Sequence, residues 1–352
     1  MKINSIKSVL LLALVMLMTG CHNRDWEFDD FDYTAVYFPW TYPVRTLILG
    51  DCDGYDNTND RNHRFIISAK MGGVYQNQQN VQVDYVIDPT LIENLKFGES
   101  GLPVKMLPSN YYTLSNSSQI VIPKGSYSGG VTVQLTDAFF EDPDACTTNY
   151  VLPLRIVAAS TDSVLRGKAD ESVANPDRRI ASHWKSAPMD FTIFGIKYIN
   201  PYHGSYLLRG KTVVIDGSGQ AVGEPAKYGY GQYGHVEEGL VTALTTKSLT
   251  TLIYSAQIQV ASGTSPGQYE VVATVDPETN NVTVVQKDGA AFNVTGTGKY
   301  VKDGQSWGGK SRDAFYLDLN IEANGNIYHA ADTLVFRDNT VKLEEFTPEV
   351  TP

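Results

Sequence analysis

Short runs of strand formers, cut at close intervals by turn residues, fill the chain from about Val36 onward, and helical periodicity is nearly absent. That pattern restricts the chain to an all-β fold. VQVDYVI (81–87) is the clearest run, with Val81, Val83, Tyr85 and Ile87 on one face of an extended segment. Similar runs are VYF (36–38), RTLIL (45–49), RFIISAK (64–70), YYTL (111–114), QIVIP (119–123), VTVQLTD (131–137) and YVLPLRIV (150–157). Clusters such as MGGVYQNQQN, LSNSS and PKGSYSGG separate them as turns. One helical turn is expected at DPTLIENL, where Asp88 caps, Pro89 takes the first helical position, and Leu91, Ile92 and Leu95 share a side. Strands at this spacing predict an immunoglobulin-like β-sandwich over residues 35–188.

Residues 160–188 are charged and rich in small residues, and read as a crossing loop and linker. Strand composition returns in DFTIFGIKYI, so 189–199 is expected to be a linker strand. A second series, from GSYLLRG to DTLVFRD, fills 200–346 and leaves 347–352 as a tail. Within it Asn324-Gly325 supplies the positive φ that a tight hairpin needs. About eight up-and-down strands favour a closed antiparallel barrel, because closure removes exposed edges.

The chain begins MKINSIKSVLLLALVMLMTGC, with Lys2 and Lys7 ahead of an apolar run from Val9 to Met18, then Thr19-Gly20-Cys21. We read residues 1–20 as a lipoprotein signal peptide, Cys21 as the lipidated residue and 21–34 as a tether. An ordinary cleaved signal with an incidental cysteine is the other reading. After Cys21 no window approaches the ~18 apolar residues of a membrane-spanning helix, so the membrane is reached through the anchor alone. A net charge of −11 argues against nucleic acid and anionic headgroups as partners, since both would be repelled. Only Cys52 and Cys146 remain after the anchor, as one disulfide or two free thiols.

The acidic stretch LGDCDGYDNTNDRNHRF (49–65) raises the question of calcium. Counted from Asp51, the glycine falls at position four, Tyr55 at five and Asn62 at twelve, so the EF-hand template fails. An irregular calcium site on Asp51, Asp53 and Asp56 is the alternative to a solvated loop joining two strands. GYGQYG (229–234) matches a dinucleotide fingerprint in letters only, because no apolar strand precedes it and no acidic residue follows at the ribose spacing. It reads instead as a mobile Tyr/Gly loop carrying Tyr228, Tyr230 and Tyr233, or as a glycine-bulged strand whose tyrosines cover a core edge. The six histidines are scattered without zinc spacing, and neither a nucleophile elbow nor a phosphate loop occurs. No pair of carboxylates, such as Glu141/Asp142, stands out for glycoside hydrolysis.

Carbohydrate binding suits such a chain better than catalysis. A pyranose stacks its C–H face on an aromatic ring while polar side chains take its hydroxyls. Trp40 and Tyr42 sit between prolines in FPWTYP, and Trp307 lies in the loop DGQSWGGKS. With Tyr228, Tyr230 and Tyr233 they form the candidate glycan-binding set, with no cofactor and no catalytic residue.

VYFPWTYPVRTLILGD, MGGVYQN, PSNYYTL, IPKGSYSGGVTVQLTDAFFEDP and YVLPLRI, in this order, resemble the N-terminal domain of unknown function of Bacteroides-type surface lipoproteins. KYINPYHGSYLLRG, GTGKYVKDGQSWGGKSRDAFYLDLNIE and DTLVFRD resemble the domain often paired with it. The resemblance covers nearly all of the mature chain. It implies an immunoglobulin-like N-terminal fold, a lipocalin- or calycin-like C-terminal barrel, and an outer-membrane, cell-surface glycan-binding lipoprotein encoded beside a SusC/SusD-type uptake system, whose transporter components would be its partners. Some relatives carry the N-terminal domain ahead of a glycosidase module, yet the motifs matched here look structural and supply no catalytic residue. HNRDWE after Cys21 is less acidic than the resemblance leads one to expect. A structural or adhesive surface module and a glycoside hydrolase or its accessory module are the alternative functions.

Overall fold

The computed structural model describes residues 30–52, 54 and 56–351. The expected signal peptide, Cys21, most of the tether and Asp53 lie outside the described residues.

Two sheets enclose the N-terminal core. One has five strands in the order Ser163–Val164, Ala35–Tyr37, Arg64–Gly72, Ser128–Leu135, Tyr112–Leu114. The other runs Glu344–Glu345, Pro43–Ile48, Phe191–Ile199, Tyr150–Ala159, Val81–Ile87, Gln119–Ile122, with Lys105–Met106 also paired to Tyr150–Ala159. Alternation decides which side chains meet between them. Phe65, Ile67, Ala69 and Met71 are buried from the first sheet while Ile66 and Lys70 stay exposed, and Val81, Val83 and Tyr85 are buried from the second. The expected helical turn is a single 3₁₀ turn, Pro89–Ile92, in which the Asp88 carboxylate accepts from the Thr90 N–H at 3.2 Å.

The segment expected to link the domains is instead an interior strand of the sandwich. Phe191–Ile199 pairs antiparallel with Tyr150–Ala159 and parallel with Pro43–Ile48. Its residues are buried on both faces, as an interior strand covered from both sides requires. The C-terminal limits move as well, because the chain returns to the sandwich after the barrel. Glu344–Glu345 pairs with Pro43 and Val44, and Pro348–Val350 pairs with Leu95–Phe97. Phe346 and Val350 thereby cover a separate apolar cluster of Leu91, Leu95, Phe97, Val151, Phe191 and Ile193.

The C-terminal domain is the expected closed antiparallel barrel. Its eight strands are Gly204–Ile215, Leu240–Thr246, Thr251–Gln257, Gln268–Val275, Asn281–Gln286, Asn293–Trp307, Lys310–Ala323 and Asn326–Asp338. The last pairs back with the first from Ser205↔Asp338 to Ile215↔Ile327 and closes the ring. Ala221–Tyr228 pairs with the far half of the first strand, beyond the stretch that Leu240–Thr246 pairs with, and buries Ala226 and Tyr228. Asn324-Gly325 connects the last two strands with φ of 53° and 80°, the positive values the pair was expected to supply.

The barrel interior is packed with side chains. Asp332 is buried at its centre, and the gap beside it is too narrow for a water molecule. The gap beside Asp332 therefore offers no room for a ligand.

Candidate functional site

A cavity of about 590 Å³ forms a groove on the sandwich domain. Its lip is the segment Phe38-Pro39-Trp40, which leaves the first strand and turns toward the second. That segment is tied at both ends: the Phe38 N–H donates to the Met189 carbonyl at 2.8 Å, and the Thr41 carbonyl accepts from the Ile193 N–H at 2.7 Å. Pro39 and Pro43 restrict the backbone between these ties. Trp40 is left half exposed with its ring on the groove. Ile66, Ser68 and Lys70 contribute from the outer face of their strand, and Val341, Lys342 and Leu343 from the returning C-terminal segment.

Thr46 and Thr192 also line the groove, and both are almost fully buried. Their hydroxyl oxygens have no hydrogen-bond partner. Leaving a buried hydroxyl unpaired costs about 1–3 kcal/mol, which marks these two as unspent polar groups beside the cavity. Arg45 also lines the groove, its guanidinium paired with the buried Asp60 carboxylate.

Trp40 is thus the one member of the sequence-derived aromatic set that the groove contains. Tyr42, two residues on, packs edge-on against Phe191 and Phe346 at 6.1 and 5.4 Å, and burial pushes its hydroxyl pKa up to about 12. Trp307 is half-buried at a hairpin end; its Nε1–H donates to the Phe336 carbonyl at 2.9 Å and the Arg312 guanidinium lies 4.5 Å from its ring centre. Tyr228 points into the barrel and donates to Asp332. Tyr230 and Tyr233 are exposed on the Gly229–Gly234 loop, Tyr230 beneath Arg209 and Tyr233 beside His235. The loop belongs to no strand; the Glu238 carboxylate accepts from the Tyr233 and His235 N–H groups and ties it down.

The acidic stretch 49–65 is no merely solvated loop. It contains the short helix Thr58–Arg61, and Asn57 and Asp60 are buried. Asn57 Nδ2 donates to the carbonyls of Ile48 and Gly50 at 3.0 and 2.7 Å. Asp51 bridges Lys302 of the barrel at 2.9 Å and Arg61 at 3.3 Å, and the Lys302 hydrogen bond holds its carboxyl below the usual range. Asp56 accepts from the Thr58 N–H and hydroxyl. Asp51 and Asp56 are thus engaged by protein groups, and among the described residues no cluster of three His, Cys, Asp or Glu side chains could hold a metal.

Cys52 and Cys146 are free thiols in the structure and are not bonded to each other. Their surroundings differ: Cys52 Sγ accepts from Asn339 Nδ2 at 3.6 Å, while Cys146 packs against the sandwich core, where burial pushes its thiol pKa up and Tyr198 opposes the shift.

A solved structure of a Bacteroides ovatus protein of unknown function is 34% identical, with a TM-score of 0.82, covering 91% of this chain and 100% of its own. The chain belongs to that protein's family. Within this Bacteroides family of unknown function, residues 201–340 match the model described as a domain of unknown function, DUF5627, and residues 31–163 match a model described as an N-terminal domain. Two further solved Bacteroides ovatus proteins are more distant. A multidomain protein including DUF1735 is 12% identical with a TM-score of 0.42, over 89% of this chain and 100% of its own. A protein provisionally described as carbohydrate binding is 16% identical with a TM-score of 0.28, over 71% of this chain and 66% of its own. No curated protein matches the chain. The matched family models describe domains without an assigned catalytic activity.

Sequence reasoning found Trp40 because two prolines flank it. It missed Thr46, Thr192, Lys70 and Lys342. A threonine inside the apolar runs RTLIL and DFTIF was the available signal for the first two; nothing local marks the lysines.

Proposed function

We propose that this protein is a lipid-anchored, non-catalytic glycan-binding protein of the outer-membrane surface that works beside a SusC/SusD-type transporter. The observation that carries the binding role is the sandwich groove with Trp40 at its lip. An exposed indole offers an apolar platform to the C–H face of a sugar ring. Ser68 and Ser128 on the groove wall suit the hydroxyls. A volume of about 590 Å³ is that of an ordinary small-ligand site. The lining holds no Asp or Glu, so the two carboxylates of glycoside hydrolysis are missing there. The anchor at Cys21 and the transporter association rest on the signal pattern and on the family resemblance of the sequence.

A panel of plant and host polysaccharides in affinity gels, followed by calorimetry, tests this reading. At least one glycan is expected to bind, with Trp40→Ala weakening it by about tenfold and Trp307→Ala leaving it unchanged. Loss on Trp307→Ala with Trp40→Ala unaffected would overturn the groove assignment. Retention by no glycan would hand the protein to the structural or adhesive reading.

A further inference from the structure

The glycan-binding reading leaves the class of glycan open, and the charge of the groove bears on it. Three of its lining residues are cationic, Arg45, Lys70 and Lys342, and none is acidic. This stands against a chain of net charge −11. Of the carboxylates that adjoin the lining, Asp60 is paired with Arg45 and Glu344 with Lys197 at 2.6 Å, while Glu345, opposite Pro43, is exposed. Arg45 is therefore neutralised. Lys70 and Lys342 are exposed and have no ion-pair partner among the described residues. They come from opposite ends of the chain, Lys70 from a sandwich strand and Lys342 from the segment that returns after the barrel.

We infer that the groove takes an acidic saccharide, its sugar face on Trp40 and its negative group between Lys70 and Lys342. The inference rests on the glycan-binding reading and narrows it. A neutral sugar gains nothing from two unpaired ammonium groups, whereas an anionic one replaces bulk counterions at both and is drawn to a groove whose own lining carries no carboxylate. A uronate carboxylate and a sulfate ester share this chemistry, because lysine acts as a point charge and does not demand the planar geometry that arginine reads.

The test uses the whole mature chain and calorimetry against polygalacturonate, its carboxyl-reduced neutral counterpart, dextran sulfate and polyglutamate. Binding of one or both acidic polysaccharides is expected to be at least about tenfold tighter than of the neutral polymer, and to weaken as salt rises past the ~10 Å screening length of 0.1 M. Lys70→Gln with Lys342→Gln is expected to cost about five- to tenfold on the acidic ligand and to leave neutral binding unchanged. Which acidic polymer binds separates carboxylate from sulfate. Equal binding of neutral and acidic polymers, unaffected by the lysine changes, overturns the inference and leaves the glycan reading standing. Equal binding of polyglutamate overturns it as simple ion exchange. Binding of no polysaccharide, acidic or neutral, removes the glycan reading itself.

Discussion

Asp332 is a carboxyl group placed where water cannot reach it. Tyr254 and Tyr269 donate to its Oδ2 at 2.8 and 2.9 Å, and Tyr228 donates to Oδ1. Burial outweighs these three donors and holds its pKa above the ordinary carboxylate value. The sign of the linkage follows. A folded pKa above the unfolded value of about 3.9 means that stability from this group is full below that pH and is lost as pH rises through the folded pKa. Asp332→Asn cannot ionise and carries no such loss. The melting temperature of the wild type relative to Asp332→Asn should therefore be higher at pH 4 than at pH 7.5, measured on the barrel transition by calorimetry; a gap that widens with pH would mean the three hydroxyls outweigh burial. Tyr328, Ala330 and Leu334 made the inward face of this strand legible, and Asp332 falls on it by alternation. Its partners come from strands far apart in the sequence, so their meeting at one carboxylate was not legible. The groove divides in the same way: Trp40 is marked by its own neighbours, whereas Lys70 and Lys342 meet only because the chain's end folds back.

At the scale of elements, the strong alternating runs formed strands close to where their residues indicate, and VQVDYVI spans the strand Val81–Ile87. Phe191–Ile199 is the strand its composition indicates, and its placement as a connector has a physical cause. A strand covered on both faces loses the two-residue alternation that identifies strands, and position in the chain then suggested a connector. Two- and three-residue strands such as Glu344–Glu345 and Pro348–Val350 carry too little pattern to be seen at all. How closely the two sheets approach is likewise set by single residues. A Cβ on Gly129 would lie 2.1 Å from the Val121 carbonyl oxygen and 2.8 Å from the Ile122 Cα, both backbone atoms of the other sheet. Neither can step aside without moving a strand. Gly129→Ala should destabilise the sandwich by about 2–3 kcal/mol, read as a fall of roughly 4–12 °C in its melting temperature. Gly72→Ala meets nothing within 4 Å and is the control, expected to stay within about 0.5 kcal/mol. Similar effects at the two positions would mean the sheets are free to part there.

The whole molecule is held as one piece by contacts that the domain-by-domain reading of the chain does not contain. Asn200, buried between the domains, donates from Nδ2 to the carbonyls of Ser248 and Thr251 at 2.8 and 3.1 Å and accepts from the Tyr202 N–H. Beside it His203 accepts the Thr246 N–H on Nδ1, and burial lowers its pKa to about 4, so the imidazole stays neutral at that bond. Lys302 reaches Asp51 from the barrel side. The largest tie is the chain's own end. Beyond the last barrel strand, which ends at Asp338, it crosses back to the sandwich, pairs at Glu344–Glu345 and Pro348–Val350, and sets Phe346 against Tyr42 and Phe97 at 5.4 and 5.1 Å. Covering that cluster with one phenylalanine and one valine is worth about 2–4 kcal/mol. A chain ending at Asn339 should therefore show two calorimetric transitions, with the sandwich melting lower by roughly 5–10 °C and the barrel unchanged, because all eight of its strands are retained. The same truncation takes Val341, Lys342 and Leu343 out of the groove wall, so glycan affinity should fall even at temperatures where the shortened sandwich is fully folded. An unshifted sandwich transition would show that the returning segment rests on the domain without holding it.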